Sequence, residues 1–438
     1  MALLPRLRSQ DNDQGQAGMR SILEGVTVLD LTRFLSGPQA TLFLAGLGAD
    51  VIKIDDPKGG DPTASAPPFA GSGGISLERS DPHDMGLAYL KRARAKRSVL
   101  LDLKSPQGRD AFLRMVEQAD VVIENFSVGV AQRLGIDHEQ LKAVNPGLVY
   151  CALTGYGSTG PDRHLKAYDP MVQAAVGLMS ITGLPGTAPV KAGSPLSDTV
   201  AGVFAAMGVV AALLHRQRTG EGQAVDVSMA DCLFSLLFDE PLDCYGRLGL
   251  QEQQGSRVMR FSPFNSFPAR DGWVVLGAAT QDDWAALLRV IGRLDLAGHP
   301  DFSRLAWRIE NNAEVDAVVS SWTRGRTMAE VVDAMAASKI PCSPVRSIED
   351  VMRWPQLQER NMIDAVWNPS AREYVAANAP GFPLKFSRTP GGYHRPAPLP
   401  GEHTREVLKA LAGLSDEALS TMQRAGVVAM HRDAGSGS

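Results

Sequence analysis

The sequence predicts an α/β protein with a mostly parallel sheet, helices on both faces of that sheet, and a second, smaller domain. Three observations support this prediction. At 438 residues, the chain is long enough for two or three domains. Up to about residue 155, short apolar runs rich in β-forming residues alternate with segments of helical spacing. After residue 169, long apolar helical stretches replace that alternation.

The first part of the chain contains several strand–helix–strand units. Gly37-Pro38 opens a helix that runs to about residue 47, and Ser105-Pro106 supplies an N-cap and a first-turn proline for another helix. A third helix is predicted over 129–144. Residues 59–74 are rich in Gly, Pro and Ser, which predicts a long loop. The predicted strands are 26–31, 51–54, 99–103, 121–123 and 148–153.

The second part of the chain is predicted to be largely helical. A hairpin is expected over 261–277 around Arg270-Asp271-Gly272, and a short strand over 226–228. Residues 1–22 show no pattern and form an N-terminal extension that lacks the apolar run of a secretory signal, and Gly435–Ser438 is a flexible tail. The predicted helices are 169–182, 197–218, 230–247, several over 282–339, and 403–411.

Composition and charge exclude several classes of protein. Hydrophobic residues make up 44% and charged residues 21%, typical of globular proteins. With 44 basic and 48 acidic residues, the net charge of −4 argues against a nucleic-acid partner. The longest apolar stretch, 200–214, is too short to span a membrane and predicts a core helix. Four widely spaced cysteines predict reduced thiols and a cytoplasmic location.

Two local motifs have competing interpretations. Gly155–Gly160 matches Gly-x-Gly-x-x-Gly, but Pro161 and Asp162 follow it and no acidic residue stands about 20 positions later, so a loop is favoured over a dinucleotide site. The basic run 91–97 precedes a predicted strand; it is either a solvated charged face or a polyphosphate contact. No histidine has a metal-like partner in the sequence, so no metal site is predicted.

Asp169 has two compatible interpretations, one structural and one chemical. The pattern Tyr168-Asp169-Pro170 is typical of an N-cap followed by a first-turn proline. A helix N-terminus also stabilises an ionised carboxylate, which can attack an electrophile.

Several segments together resemble the family III coenzyme A transferases, also called the CaiB/BaiF family. They are 23–32, 46–55, 96–98, 120–126, 154–161, 168–169, 220–228, 340–345 and 401–404. The resemblance implies a Rossmann-like large domain built from both chain ends, a smaller α+β domain between them, and an interlocked homodimer. The corresponding boundaries are 1–22 for the extension, 23–225 for the first part of the large domain, 226–340 for linker helices and the small domain, and 341–438 for the return and tail.

The resemblance also implies a chemistry. Asp169 matches the family's nucleophile, which attacks an acyl-CoA to form a mixed anhydride and then an enzyme–CoA thioester, with no metal and no permanently bound cofactor. Lys53, Lys58 or Lys96 is expected to compensate for Asp56 and Thr154, which replace an arginine and a lysine of formyl-CoA transferase. Leu35, an expected substrate contact, replaces a glutamine associated with formyl transfer, which argues against oxalate or formyl-CoA as substrates. The expected CoA contacts are Arg33, Lys53, Lys96, Leu101, Asn125, Phe126, Arg133 and Tyr156.

The acceptor and the exact activity stay open at this point. Succinyl-CoA is a candidate donor, and Arg257 and Arg260 are candidates for binding the second carboxylate of a dicarboxylic acceptor. An α-methylacyl-CoA racemase of the same superfamily is an alternative, although Tyr168 stands where such racemases have histidine. A non-catalytic CoA-binding protein is the third possibility.

Overall fold

The structure is a computed structural model that describes residues 21–431. Most of the N-terminal extension and the Gly435–Ser438 tail lie outside the described residues. The strands are β1 Thr27–Asp30, β2 Asp50–Asp55, β3 Phe69–Gly71, β4 Gly74–Ser76, β5 Met85–Gly86, β6 Lys96–Leu101, β7 Val121–Glu124, β8 Val149–Thr154, β9 Ala224–Ser228, β10 Phe264–Ala269, β11 Gly272–Gly277, β12 Cys342–Pro344, β13 Ile363–Asn368, β14 Glu373–Pro380 and β15 Val428–Ala429.

The α-helices follow the same chain order. They are α1 Ser36–Gly46, α2 Leu87–Arg92, α3 Pro106–Glu117, α4 Val130–Leu134, α5 His138–Val144, α6 Asp169–Ala175, α7 Leu178–Ile181, α8 Leu196–Thr219, α9 Met229–Leu237, α10 Leu242–Tyr245, α11 Gln281–Val290, α12 Leu305–Glu310, α13 Asn312–Thr323, α14 Met328–Ala337, α15 Ile348–Met352, α16 Pro355–Glu359, α17 Thr404–Ala412 and α18 Asp416–Arg424. Short 3₁₀ turns occupy Pro62–Ser65, Gly246–Leu248 and Leu294–Leu296.

The chain divides into two compact units with boundaries that differ from those expected. The first unit comprises 1–176, 193–239 and 356–438, and the second comprises 177–192 and 240–355. Strand β9 belongs to the first unit because it pairs with β8 along its whole length. Strand β12 belongs to the second unit because it pairs with β11, so the chain returns to the first unit at residue 356 rather than 341.

A seven-stranded sheet forms the first unit, in the order β15-β6-β2-β1-β7-β8-β9. All neighbouring pairs are parallel except β15 with β6. Val28 and Leu29 on β1 point to opposite faces and both are fully buried, so both faces of the sheet are covered. The predicted α/β class and parallel sheet are confirmed. Chain order reverses between β1 and β7, where open α/β sheets bind ligands.

The smaller sheets account for two further predictions. The hairpin of β10 and β11 is confirmed, and with β12 it packs on α11, α13 and α14 around a core that includes Trp284 and Phe267. The prediction of one long loop over 59–74 is wrong in part. Strand β3 lies there between β4 and β5, and Phe69 and Ala70 are buried in that sheet.

Three predicted helices are interrupted. The helix expected over 129–144 is divided into α4 and α5 at Gly135, whose φ of +72° is a left-handed conformation that ends α4. The helix expected over 169–182 is divided into α6 and α7 at Gly177, whose φ of +86° is a left-handed conformation that ends a helix. The helix expected over 230–247 is divided into α9 and α10. Helix α8 is confirmed; it is long and apolar enough to cross a membrane by length and composition, with 39% of its most apolar window buried, which alone is weak evidence for a span.

Part of the basic run is buried rather than solvated. Lys96 lies on β6 with its side chain fully buried, and its Nζ is 3.0 Å from Oδ2 of the equally buried Asp30 on β1. Asp30 also accepts hydrogen bonds from Thr32 and from Thr41, and Lys96 donates to Thr41 and to the Pro38 carbonyl. Burial acts to raise the pKa of Asp30, but Lys96, Lys53 and the two threonines lower it below its usual value. Asp30 is therefore a buried anion that is paired with Lys96 and accepts hydrogen bonds from Thr32 and Thr41.

Replacing Lys96 by methionine leaves the Asp30 carboxylate buried without its cation. We expect Lys96→Met to lower the free energy of unfolding by about 3–5 kcal/mol, measured by urea denaturation at neutral pH. The double variant Asp30→Asn/Lys96→Met should recover most of that loss, because it no longer buries an unpaired charge. A loss in the double variant as large as in the single one would show that packing, rather than charge, explains the effect.

Candidate active site

The loops that follow β1 and β7 meet at the point where the strand order reverses. Asn125 comes directly after β7, and its Oδ1 accepts from the backbone N of Arg33 at 2.9 Å while its Nδ2 donates to the Arg33 carbonyl at 2.8 Å. One amide side chain therefore binds both backbone polar groups of Arg33. The buried Nε of Arg33 has no hydrogen-bond partner within the described chain, so a donor is left for another group.

A cleft with three cations lies at the same edge of the sheet. Lys104, Arg109 and Arg133 line it together with the start of α3 at Ser105 and Pro106, and it encloses about 210 Å³. Arg133 lies on α4. Lys104 follows β6, and its Nζ is 2.9 Å from Oδ2 of Asp56. Of these three cations, Arg133 is a CoA contact predicted from the sequence, whereas Lys104 and Arg109 were not predicted.

The remaining predicted CoA contacts also follow strands of the large sheet. Leu101 is the last residue of β6, Phe126 lies two residues beyond β7, and Tyr156 lies two residues beyond β8. The loop containing Tyr156 is held by Asp226 of β9, which accepts from the backbone N and the Oγ of Ser158. No helix begins directly after Gly155–Gly160, in agreement with the interpretation of this motif as a loop.

Glu124, at the end of β7, positions the backbone of Phe126. Its Oε2 accepts from the Phe126 N at 2.5 Å, and its Oε1 accepts from the Tyr150 hydroxyl at 3.2 Å. Burial raises the pKa of Glu124 to about 7, although both hydrogen bonds act to lower it. The carboxyl group therefore titrates near neutral pH beside the loop that carries Asn125 and Phe126.

Asp169 is buried and satisfied by uncharged donors. Its side chain is 5% exposed. Oδ1 accepts from the backbone N and the Oγ of Ser197, each at 2.8 Å, and Oδ2 accepts from Nε2 of Gln173 at 2.6 Å. Each carboxylate oxygen has two lone pairs, so the bond from Gln173 leaves Oδ2 one lone pair. The arrangement fixes the orientation of a carboxylate without neutralising it.

Asp169 does not cap its helix as the sequence pattern predicted. Tyr168 is the N-cap residue of α6, and Asp169 is the first helical residue. Its carboxylate is directed instead to Gln173, one turn further along α6, and to Ser197 at the start of α8. The spacing of four residues between Asp169 and Gln173 is visible in the sequence, whereas Ser197 lies 28 residues away and has no local signal.

An aromatic pair lies beside this carboxylate. The rings of Tyr168 and Phe34 meet edge to face with centroids 6.2 Å apart, and both are largely exposed. Phe34 has a φ of +69°, unusual for a residue with a side chain. Arg92 donates to the Phe34 carbonyl at 2.7 Å. Leu35, a predicted substrate contact, follows directly and precedes α1.

The structure does not bring all the predicted site residues together. The side chain of Lys53 is 1% exposed, and its Nζ lies 3.2 Å from Asp55 and 3.0 Å from Asp61. Lys96 is likewise buried and paired with Asp30, so both predicted lysines form ion pairs inside the protein. Arg257 and Arg260 lie in the second unit. Arg257 is paired with Asp316 at 2.9 Å beside a cavity of about 10 Å³, and the more exposed Arg260 is paired with Glu240 at 2.6 Å.

Within residues 21–431, no group of three His, Cys, Asp or Glu side chains is arranged to hold a metal ion. The four cysteines are unpaired thiols.

Comparison with known proteins gives one consistent result. The sequence model of CoA-transferase family III matches residues 23–404. The chain is 34% identical to a succinate–glutarate CoA-transferase of Agrobacterium fabrum over 89% of this chain and 95% of that protein. It is 36% identical to a succinyl-CoA:mesaconate CoA-transferase of Haloarcula hispanica over 88% of this chain and 95% of that protein. A solved structure of a CAIB/BAIF family protein from Brucella suis superposes with a TM-score of 0.76 at 29% identity, covering 90% of this chain and 100% of that one.

Proposed function

The chain belongs to CoA-transferase family III, and on that premise we propose that it transfers CoA from succinyl-CoA to a dicarboxylic acid through covalent intermediates on Asp169. The observation that carries the proposal is the buried Asp169 carboxylate, oriented by Ser197 and Gln173 without a cation among its three donors. Such a carboxylate keeps one lone pair of Oδ2 for attack on a thioester.

The reaction proceeds through successive anhydride and thioester intermediates on the Asp169 carboxylate. Oδ2 of Asp169 attacks the thioester carbon, which forms an aspartyl–acyl anhydride and releases CoA thiolate. The thiolate attacks the aspartyl carbonyl, which forms the enzyme–CoA thioester and releases the donor acid. An acceptor carboxylate then attacks that thioester, which forms a second anhydride and releases CoA thiolate. The thiolate attacks the acyl carbon of the acceptor, which forms the new acyl-CoA and restores the Asp169 carboxylate. No water and no net proton enter, so the thioester free energy is retained.

The cleft at the carboxyl edge of the sheet is the proposed site for the phosphates of CoA. Arg133 and Lys104 bring positive charge to it. Arg33, which follows β1 at the same edge of the sheet, has a buried Nε without a hydrogen-bond partner among the described residues. Phosphates are bound by such groups through charge-assisted hydrogen bonds. Phe126 and Tyr156 supply half-buried aromatic surface at the same edge, whereas the side chain of Leu101 is buried in the core below it. Lys53 and Lys96 would act indirectly, by holding the strands that carry these loops.

A dicarboxylic acceptor is supported by the names of the relatives, and Arg257 and Arg260 stay the proposed contacts for its second carboxylate. Glutarate and mesaconate, which appear in the names of the two relatives, each carry two carboxyl groups. Arg260 is the better candidate for the second carboxylate, because its pair with Glu240 is exposed and contributes little. Arg257 is held more tightly by Asp316, which also accepts from Asn265.

A second copy of this chain is the proposed partner. Large apolar side chains of α8, of α9 and of the residue directly after α9 are half exposed in the single chain, and a family-type homodimer would cover them. They are Val203, Met207, Leu214, Phe234, Leu236 and Phe238. A monomeric mass in analytical ultracentrifugation at micromolar concentration would contradict this. A cytoplasmic location stays a prediction.

The test of the function is an exchange assay with succinyl-CoA and a series of acids. We expect transfer to glutarate or mesaconate, and much slower transfer to acetate, because acetate lacks the second carboxylate. Asp169→Asn should lower kcat by more than about 10³-fold while leaving CoA binding within about threefold.

The paired control is Asp162→Asn, which removes an exposed carboxylate of the preceding loop and should leave the rate unchanged. Equal rates with acetate and glutarate would contradict the dicarboxylate proposal. Undiminished transfer by Asp169→Asn would contradict the proposed nucleophile.

Two arginines of α3 test the CoA cleft. Arg109 lines the cleft, whereas Arg114 lies on the same helix and is paired with Asp110 at its surface. We expect Arg109→Gln to weaken CoA binding about tenfold, because one charge-assisted hydrogen bond is lost, and Arg114→Gln to leave it unchanged. Isothermal titration at low salt measures both. Equal affinities of the two variants would place the phosphates elsewhere.

A further inference from the structure

The two carboxylate oxygens of Asp169 are held by different groups. Oδ1 accepts from the backbone N and the Oγ of Ser197, each at 2.8 Å, whereas Oδ2 accepts from Nε2 of Gln173 at 2.6 Å. A carboxylate oxygen has two lone pairs, so Ser197 occupies both lone pairs of Oδ1 and Gln173 occupies one of Oδ2. Oδ2 is therefore the oxygen that can attack a substrate, and Oδ1 is the oxygen that stays with the enzyme.

Ser197 can donate twice because of its place in α8. It is the second residue of this 24-residue helix, and backbone N–H groups in the first turn have no partner within a helix. Its Oγ lies 2.8 Å from Oδ1 and 3.3 Å from the main-chain carbonyl oxygen of Asp169, so the shorter contact assigns the single hydroxyl proton to Oδ1. Ser197 is fully buried, which keeps bulk water away from both donors.

Two fixed donors on one oxygen are the arrangement that stabilises an oxyanion. When a nucleophile adds to Cγ of an acylated Asp169, the electrons of the Cγ–Oδ1 double bond move onto Oδ1 as a full negative charge. Both distances of 2.8 Å lie within the range of about 2.7–3.1 Å that is typical of oxyanion donors. The backbone N–H also lies at the positive end of the α8 dipole. Both donors are in place before the reaction, so they bind the developing charge without reorganisation.

We propose that Ser197 is a catalytic residue whose backbone N–H and hydroxyl stabilise the oxyanion that forms on Oδ1 whenever Cγ of Asp169 is attacked, while Oδ2 is the oxygen exchanged with the substrates. The inference rests on the proposed transferase function and adds a role for each oxygen of the nucleophile. Donors to Oδ1 bind the alkoxide of the intermediate more strongly than the carbonyl oxygen of an anhydride or thioester, so they lower the barrier between those states.

The balanced step shows where the electrons go. The sulfur of CoA thiolate forms a bond to Cγ of the Asp169 anhydride, and the electron pair of the double bond moves onto Oδ1. That pair then returns, the bond from Cγ to Oδ2 breaks, and Oδ2 leaves in the carboxylate of the donor acid. An acceptor carboxylate attacks the thioester through the same oxyanion, and its own oxygen becomes the new Oδ2. No proton is taken up or released in either step.

The first experiment measures attack on the enzyme–CoA thioester. Wild-type protein and Ser197→Ala are incubated with succinyl-CoA, separated from small molecules by gel filtration, and mixed with succinate. Acid quenching and intact mass spectrometry then follow the loss of the thioester. We expect the thioester of Ser197→Ala to react at least about tenfold more slowly, because one of two oxyanion donors is lost. CoA binding, measured by isothermal titration, should stay within about threefold of wild type.

Ser420→Ala is the matched control, because the Ser420 hydroxyl donates to the Asp416 carbonyl within α18. This variant should react at the wild-type rate. A thioester of Ser197→Ala that reacts within about twofold of the wild-type rate would overturn the role of the Ser197 hydroxyl.

The second experiment uses the wild-type protein and so does not depend on how the variant folds. Turnover with succinyl-CoA and succinate labelled with ¹⁸O in both carboxyl groups should place one ¹⁸O in the Asp169 side chain, because Oδ2 is replaced in each cycle and Oδ1 is retained. The mass of the tryptic peptide 167–191 after the removal of CoA counts these atoms.

The outcomes separate this inference from the function on which it rests. Two ¹⁸O atoms in the Asp169 side chain would overturn the separate roles of Oδ1 and Oδ2 and leave the transferase intact. No label and no thioester on the wild-type protein would overturn the proposed function, and the inference with it.

Discussion

The site depends on one constraint, which is that a carboxylate must be buried and held in one orientation without an ion pair to a cation. Asp169 meets it through three uncharged donors on two helices, the Ser197 backbone and hydroxyl and the Gln173 amide. A lysine or arginine in their place would stabilise the anion more strongly and reduce its tendency to attack. Water, which would hydrolyse an anhydride or thioester, has little access because the side chain is almost fully buried.

The large sheet places the other parts of the site around this carboxylate. Its strand order reverses between β1 and β7, and Asn125 joins the two loops there through both backbone polar groups of Arg33. The segment from Arg33 to Ser36 then continues to the aromatic contact of Phe34 with Tyr168, the residue that precedes Asp169. One short loop thus connects the expected CoA edge to the start of the helix that carries the proposed nucleophile.

Much of the fold was predictable because its determinants are local. Buried parallel strands such as β1 and β7 are continuous apolar runs, and the Ser105-Pro106 pair specified the start of α3. The short strands β3 and β4 were missed because Gly and Pro dominate that segment and its pairing is supplied by tertiary contacts. The burial of Lys96 was unpredictable for the same reason, since its partner Asp30 lies on a different strand.

The site was only partly predictable from the sequence. The pattern around Asp169 and the family resemblance identified the carboxylate, and helical spacing was enough to suggest Gln173. Ser197 and Lys104 carry no comparable signal, because their proximity to the site depends on how α8 and the β6–α3 loop pack. The positive charge of Lys53 and Lys96 led to a wrong expectation of direct CoA contacts, since both lysines form buried ion pairs within the sheet.

The measurement that tests the central claim most directly follows an oxygen atom. If Asp169 attacks the acyl carbon, one of its oxygens is exchanged with the substrate carboxylate in every cycle. Succinate labelled with ¹⁸O should therefore transfer label to the tryptic peptide 167–191 during turnover with succinyl-CoA, and Asp169 carries the only side-chain carboxyl group in that peptide. Label on Asp169 in the presence of succinyl-CoA, and none without it, is the predicted result. Sustained CoA exchange without label in this peptide would contradict the account.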